Sequence, residues 1–245
     1  MRTYLSIISI LFLLFSTVHA ATLTIPVSGT AGAAGNPAWY CTSPEILAWH
    51  FESLTDVTVG TPAGCNSNAS VVTTNTGGQL LSSGPSPTDG TYSWARLDVN
   101  QNITIPTSVN KSVGTIVFDF QPISSMTAWR PLMRFYVDAG NEIEVRFDST
   151  STLEFYYKGN TTFLGITSST LTADVWQTIT IKWSVAGVGG KYLYIKVGAA
   201  NAVEGTTAIT EIIGTPSVLE VGKGINENYA NSFAIDNLHL YNNWQ

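Results

Sequence analysis

The sequence predicts an all-β chain folded as a sandwich or jelly roll, on three observations. Apolar and polar residues alternate with period two in one segment after another from Thr115 onward, which is the pattern of strands with one buried face. Clusters of turn-forming residues separate those segments, and no helical pattern intervenes between them. Short strands at this spacing close into a sandwich, because an open sheet would leave its apolar face in water.

Taken in chain order, the first element is a targeting segment. Arg2 precedes an apolar run from Leu5 to Phe15, and Val18-His19-Ala20 supplies small residues for cleavage, so residues 1–20 read as a secretory signal peptide. The run is shorter than the ~20 residues a membrane helix needs, and no later segment is longer, so no membrane insertion is expected. Residues 21–245 are then expected as one exported domain, secreted to the medium or held in a periplasm. Ser43-Pro44-Glu45 can cap a short helix, since proline suits the first helical position, while Ile46 to Phe51 serves equally well as an edge strand.

Beyond Thr115 the inward sets are Ile116, Phe118 and Phe120, then Met133, Phe135 and Val137, then Ile143, Val145 and Phe147. Leu153, Phe155 and Tyr157 follow, then Ile179, Ile181 and Trp183, then Leu193, Ile195 and Val197. The separators are Asp138-Ala-Gly-Asn141, Asp148-Ser-Thr, Lys158-Gly-Asn160 and Gly187-Val-Gly-Gly190.

Charged residues make up only 11% of the chain, against about 25% in an average domain, and the net charge is -6. No basic field exists to gather phosphates, so nucleic acid is excluded as a partner. The two cysteines, Cys41 and Cys65, would meet an oxidising compartment after export and are expected to form one disulfide, contributing roughly 3 kcal/mol by restricting the unfolded chain. Asn68, Asn102, Asn110 and Asn160 head glycosylation tripeptides, which matter only in a eukaryotic host.

Four stretches in order, Leu47 to Ser53, Arg96 to Pro122, Val175 to Trp183 and Phe233 to Asn242, resemble the concanavalin A-like superfamily of lectins and glucanases, and within it the laminin-G-like jelly rolls. That resemblance implies a two-sheet antiparallel jelly-roll sandwich whose front sheet curves into a concave ligand surface, with Trp176 and Trp183 of its core strand assigned to packing, on a scaffold shared by lectins, adhesion modules, glycoside hydrolases and polysaccharide lyases. It therefore implies a scaffold without fixing an activity. Glu142-Ile-Glu144-Val-Arg146 resembles the E-x-D-x-E strand of the laminarinase and lichenase glycosidases. Alternation puts the three side chains on one face, ~6.8 Å apart along the strand. A retaining hydrolase needs a second carboxylic acid to protonate the leaving oxygen, and the matching position is Arg146, which stays charged and cannot give up a proton. A lyase would set arginines against a uronate carboxylate with a tyrosine as base; Arg134, Arg146, Tyr136 and Tyr156 share the polar faces of three successive strands, but the family's arginine-rich and Gln-x-His strands are not matched.

A binding surface asks for less: aromatic rings for sugar faces, and amides, carboxylates or guanidinium groups for hydroxyls. The candidates are Trp129, Arg130, Arg134, Glu144, Arg146, Tyr156, Asn226 and Tyr229. The resemblance also implies a structural calcium ion beside the last strand. There the apolar parity of Ala234, Leu238 and Leu240 puts Asp236 inward, where calcium, with Glu52 as a further ligand, or hydrogen bonding to backbone or Asn237 would offset the burial of its charge. His50 and His239 read as structural histidines near the two chain ends. The expectation is a secreted domain that binds a polysaccharide or surface glycan without turnover. The alternatives are a polysaccharide lyase or glycoside hydrolase using Arg134, Glu144, Arg146 and Tyr156, and an adhesive module with a protein partner.

Overall fold

The period-two segments form strands throughout. The structure, a computed structural model, describes residues 45–49, 58–59, 74–76, 79–81, 93–96, 102–123, 130–147, 152–222 and 233–245. Contacts divide the chain into Met1–Gly35 and Asn36–Gln245, and every described residue belongs to the second unit. The expected signal peptide, Cys41, Cys65, His50, Glu52, Trp129, Asn226 and Tyr229 lie outside the described residues.

In chain order the strands are β1 (Glu45–Trp49), β2 (Thr58–Val59), β3 (Thr74–Thr76), β4 (Gln79–Leu81), β5 (Ser93–Arg96), β6 (Asn102–Pro106), β7 (Val113–Pro122) and β8 (Arg130–Asp138). They continue with β9 (Asn141–Phe147), β10 (Thr152–Gly159), β11 (Thr162–Thr170), β12 (Gln177–Val188), β13 (Lys191–Val197), β14 (Val203–Gly205), β15 (Val218–Val221) and β16 (Phe233–Tyr241). Among the described residues there is no helix, and so none long and apolar enough to cross a membrane.

Two antiparallel sheets result. One runs β14-β13-β12-β7-β16-β1-β2, with β5 also pairing β16 and β4 pairing β5; the other runs β11-β10-β9-β8-β15-β6-β3. Glu45 to Trp49 is therefore a strand, and it is flanked by β16 and β2 instead of standing at an edge, which corrects the expectation for that segment.

The inner faces carry the predicted apolar sets. Phe120 of the first sheet meets Phe147 of the second at 5.4 Å between ring centroids, and Trp183 meets Phe155 at 6.5 Å. Trp183 is fully buried, whereas Trp176 is only half-buried, ahead of β12. Tight turns keep neighbouring strands in register. Asn160 and Thr161 join β10 to β11 with φ of 50° and 65°, and Gly189 and Gly190 join β12 to β13 with φ of 59° and 76°. Two successive positive φ values are what a two-residue hairpin turn with the native strand twist requires.

One buried amide ties the turns beside the second sheet together. Asn141 Oδ1 accepts hydrogen bonds from Asn160 N (3.0 Å) and Ile213 N (2.7 Å), while Nδ2 donates to Asp138 Oδ1 (2.9 Å). The Asn141 Nδ2 bond, with the Gly140 N–H donated to the same carboxylate, holds the Asp138 carboxyl below its usual pKa. The β8–β9 and β10–β11 turns are thereby fixed next to one another, and with them the ladder of side chains between.

Candidate functional site

Because Ile143, Val145 and Phe147 of β9 point into the core, Glu142, Glu144 and Arg146 point the other way, onto the outer face of the second sheet. Register then assembles a row across five strands. Thr104 of β6 lies opposite Glu220 of β15, Glu220 opposite Arg134 of β8, Arg134 opposite Glu144 of β9, and Glu144 opposite Tyr156 of β10. One step along, Tyr136, Glu142 and Lys158 form a second row; on the other side Arg146 lies opposite Glu154.

This is not a solvated strand face. Arg134 is 7% exposed, Glu142 6%, Glu144 5% and Tyr156 9%. Charges so enclosed need partners. Arg134 Nε donates to Glu220 Oε2 at 2.6 Å, and Arg146 Nε donates to Glu154 Oε2 at 2.7 Å. Arg146 Nη1 also lies 3.8 Å from Glu144 Oε1. Each guanidinium covers a tyrosine, Arg134 over Tyr136 at 4.7 Å and Arg146 over Tyr156 at 4.6 Å, so planar cation and ring stack in two parallel units. Among the described residues of this face, Arg134 Nη1 and Glu142 Oε2 are buried and make no hydrogen bond.

The electrostatics follow from enclosure. Burial, reinforced by the charges of Glu142 and Glu154 and opposed by Arg146 and Arg134, pushes the Glu144 carboxyl up to about 7. Burial likewise raises Glu142, against the pull of Lys158, Arg134 and Arg146. The Tyr156 hydroxyl is raised by burial and then by the Glu142 charge. Chemically, the face offers a carboxylic acid that can hold its proton near neutrality, two fixed guanidinium groups and two rings. Arg146 stands in the position of the glycosidase acid and is engaged by Glu154, so that role has no occupant on β9.

Of the sequence candidates, Arg134, Glu144, Arg146 and Tyr156 come together here. Arg130 opens β8 opposite Phe147, and its side chain falls outside the described set. Glu220 is absent from the sequence-based candidates although it is Arg134's ion-pair partner. Its signal was the short alternation Val218-Leu-Glu-Val221, with Leu219 and Val221 inward, which four residues state only weakly. Glu154 and Glu142, visible as charges on polar strand faces, become site residues only through cross-strand register.

Asp236 corrects the sequence expectation. It is buried at 3% exposure but lies on the outer face of the first sheet, opposite Asp119, because β16 carries a bulge between Asp236 and His239 that reverses parity. Phe233 and Ile235 are inward before the bulge, Leu238 and Leu240 after it. Asp236 Oδ1 accepts from Asn237 N at 2.8 Å, and Asp119 accepts from Asn237 Nδ2 at 2.9 Å and from Thr178 Oγ1 at 2.6 Å. Among the described residues no group of three His, Cys, Asp or Glu side chains gathers as a metal site. His239 Nδ1 pairs with the buried Glu45 carboxylate, as a structural histidine would.

No protein-family model matches the chain, and no curated protein matches its sequence. Its fold is similar to that of solved toxin binding domains. The binding domain of Paraclostridial Mosquitocidal Protein 1 superposes with a TM-score of 0.60 at 14% identity, covering 82% of this chain and 49% of that one. The receptor binding domain of botulinum neurotoxin C/D mosaic serotype gives 0.59 at 9% identity, with 82% and 48% covered. The binding domain of botulinum neurotoxin DC in complex with SialylT gives 0.58 at 11% identity, with 83% and 49% covered. The chain spans about half the length of these structures, and at such identities the likeness is one of fold: an antiparallel sandwich of the jelly-roll kind.

Proposed function

We propose that this chain is a secreted carbohydrate-binding domain, concanavalin A-like in scaffold, that holds a polysaccharide or surface glycan on the outer face of β8, β9, β10 and β15. The observation that carries the reading is the row Glu220, Arg134, Glu144, Tyr156 with its two guanidinium–tyrosine stacks. It combines fixed polar groups with rings, and sugars, being polar at their hydroxyls and apolar on their faces, are bound by that combination. The similarity in fold to a binding domain solved with SialylT supports the same class of ligand.

A second reading is favoured by one feature: Glu144, protonated near neutrality, lies beside Tyr156 and Arg146, as an acid in a polysaccharide lyase or glycoside hydrolase would. Incubation of the mature protein with neutral and uronic-acid polysaccharides separates the two. Retention without new reducing ends and without unsaturated-product absorbance supports binding; products that disappear in Glu144→Gln overturn it in favour of the enzyme.

Export with loss of residues 1–20 and a Cys41–Cys65 bridge belong to the same proposal. N-terminal sequencing and mass measurement with and without reductant read both. Calcium at Asp236 with Glu52 is a separate proposal: returning calcium to chelated protein raises Tm if the ion is bound and leaves it unchanged if hydrogen bonding alone holds Asp236.

A further inference from the structure

Arg134 and Glu142 occupy adjacent strands one step apart. Arg134 is opposite Glu144 and Tyr136 is opposite Glu142, so Arg134 and Glu142 are diagonal neighbours on one face, with Cα atoms about 7–8 Å apart. Both are more than nine-tenths buried, and each presents one polar atom without a hydrogen bond: a donor, Arg134 Nη1, and an acceptor, Glu142 Oε2. Leaving such atoms unmatched is costly, so unmatched atoms in a native site point to a molecule that completes them. Tyr136 stands between them in register. Among the described rings of this face it is open to solvent, at 38% exposure, with Arg134 over one side.

A ligand for this arrangement must accept from a guanidinium and donate to a carboxylate. A hydroxyl does both, whereas a carboxylate only accepts and an ammonium only donates. The charges on the face argue the same way. Arg134 and Arg146 already have carboxylates on Nε, and among the described residues Glu142, Glu154 and Glu220 match Arg134, Arg146 and Lys158 in number even with Glu144 protonated. An incoming uronate would find both guanidinium charges already offset at Nε and would bring its own charge beside the Glu142 carboxyl.

We propose that Arg134 Nη1 and Glu142 Oε2 are the donor and acceptor for neighbouring hydroxyls of a neutral sugar, with Tyr136 as the ring on which that sugar stacks, so that the ligand is a neutral glycan and not a uronic-acid polymer. This rests on the glycan-binding reading above and names its substrate class.

The test is affinity electrophoresis of the mature chain through gels containing β-glucan, mannan, polygalacturonate or alginate, repeated with Glu142→Leu and Tyr136→Ala. Leucine keeps the volume of the buried side chain without its charge, and Tyr136 is exposed, so unfolding of one variant would leave the other informative; Tm is read for both. Retardation by a neutral polymer and not by the uronates, weakened at least tenfold in Glu142→Leu and several-fold in Tyr136→Ala, is the expected result. Neutral-glycan binding that survives both substitutions means the two atoms are satisfied by water, and overturns the proposal while the glycan reading stands. Preferential binding of a uronate overturns it in the same way. Absence of binding to every polymer overturns the glycan reading itself, and the proposal with it.

Discussion

Glu144 sits where three influences meet: enclosure by the sheet, the like charges of Glu142 and Glu154, and the guanidinium of Arg146 at 3.8 Å. Enclosure prevails, and the carboxyl is raised from 4.5 to about 7. A raised carboxyl means that the folded chain binds its proton more tightly than the unfolded chain does. Stability from this group is therefore complete below about 4.5 and is lost as pH rises through about 7, where the charge must be carried in the buried row. A shift of that size corresponds to about 3 kcal/mol. Glu144→Gln removes the titration and keeps the shape. In urea unfolding, the variant is expected to match wild type near pH 4 and to exceed it by up to about 3 kcal/mol at pH 8. Parallel pH profiles for the two proteins would mean that folding leaves the Glu144 carboxyl at its ordinary value.

At the scale of elements, β16 is decided by one residue. Asn237 has φ of 47°, a left-handed conformation that asparagine tolerates better than alanine, and it is there that the strand takes its extra residue. Its side chain then reaches Asp119, so the bulge and the bond across to β7 depend on the same position. Asn237→Gly is expected to lose the side-chain hydrogen bonding, at least about 1 kcal/mol, whereas Asn237→Ala adds the backbone cost of about 1 kcal/mol. Equal losses for the two substitutions would show that the backbone conformation carries no cost here. The same bulge marks the limit of what periodicity can say. Alternation correctly placed the inward residues of β7, β8, β9, β10, β12 and β13, because each keeps one parity from end to end in the segment used. In β16 the parity of Leu238 and Leu240 was carried back through Asn237, and Asp236 was put on the wrong face. Arg134, Glu144, Arg146 and Tyr156 were legible as a group for the same reason that the strands were. Glu220 was not, since β15 is four residues long and its place between β8 and β6 is a matter of topology that local alternation does not contain.

For the molecule as a whole, the two sheets meet through a few large side chains, and among the described residues Trp183 is the largest that is fully buried. It lies on β12 of one sheet, touches Phe155 of the other, and donates its indole N–H to Asn110 O at 3.0 Å in the connection by which the chain passes from β6 in the second sheet to β7 in the first. Its six-membered ring occupies the space where Gly114, opposite in register, would carry a side chain: a Cβ there would lie 2.1 Å from Trp183 Cζ2. Gly114 is thus glycine because Trp183 is tryptophan, and neither requirement is visible in the alternation of its own strand. Gly114→Ala forces the ring to move and is expected to cost about 3 kcal/mol, while Trp183→Phe costs about 2 kcal/mol through the lost hydrogen bond and incomplete filling. Phenylalanine vacates part of the space that the new methyl needs, so the double variant should be less destabilised than the sum of the single ones by at least about 1 kcal/mol. Equilibrium unfolding of the four proteins in guanidinium measures this coupling, and additivity would show that the ring and the β7 backbone move apart independently instead of sharing one packed volume.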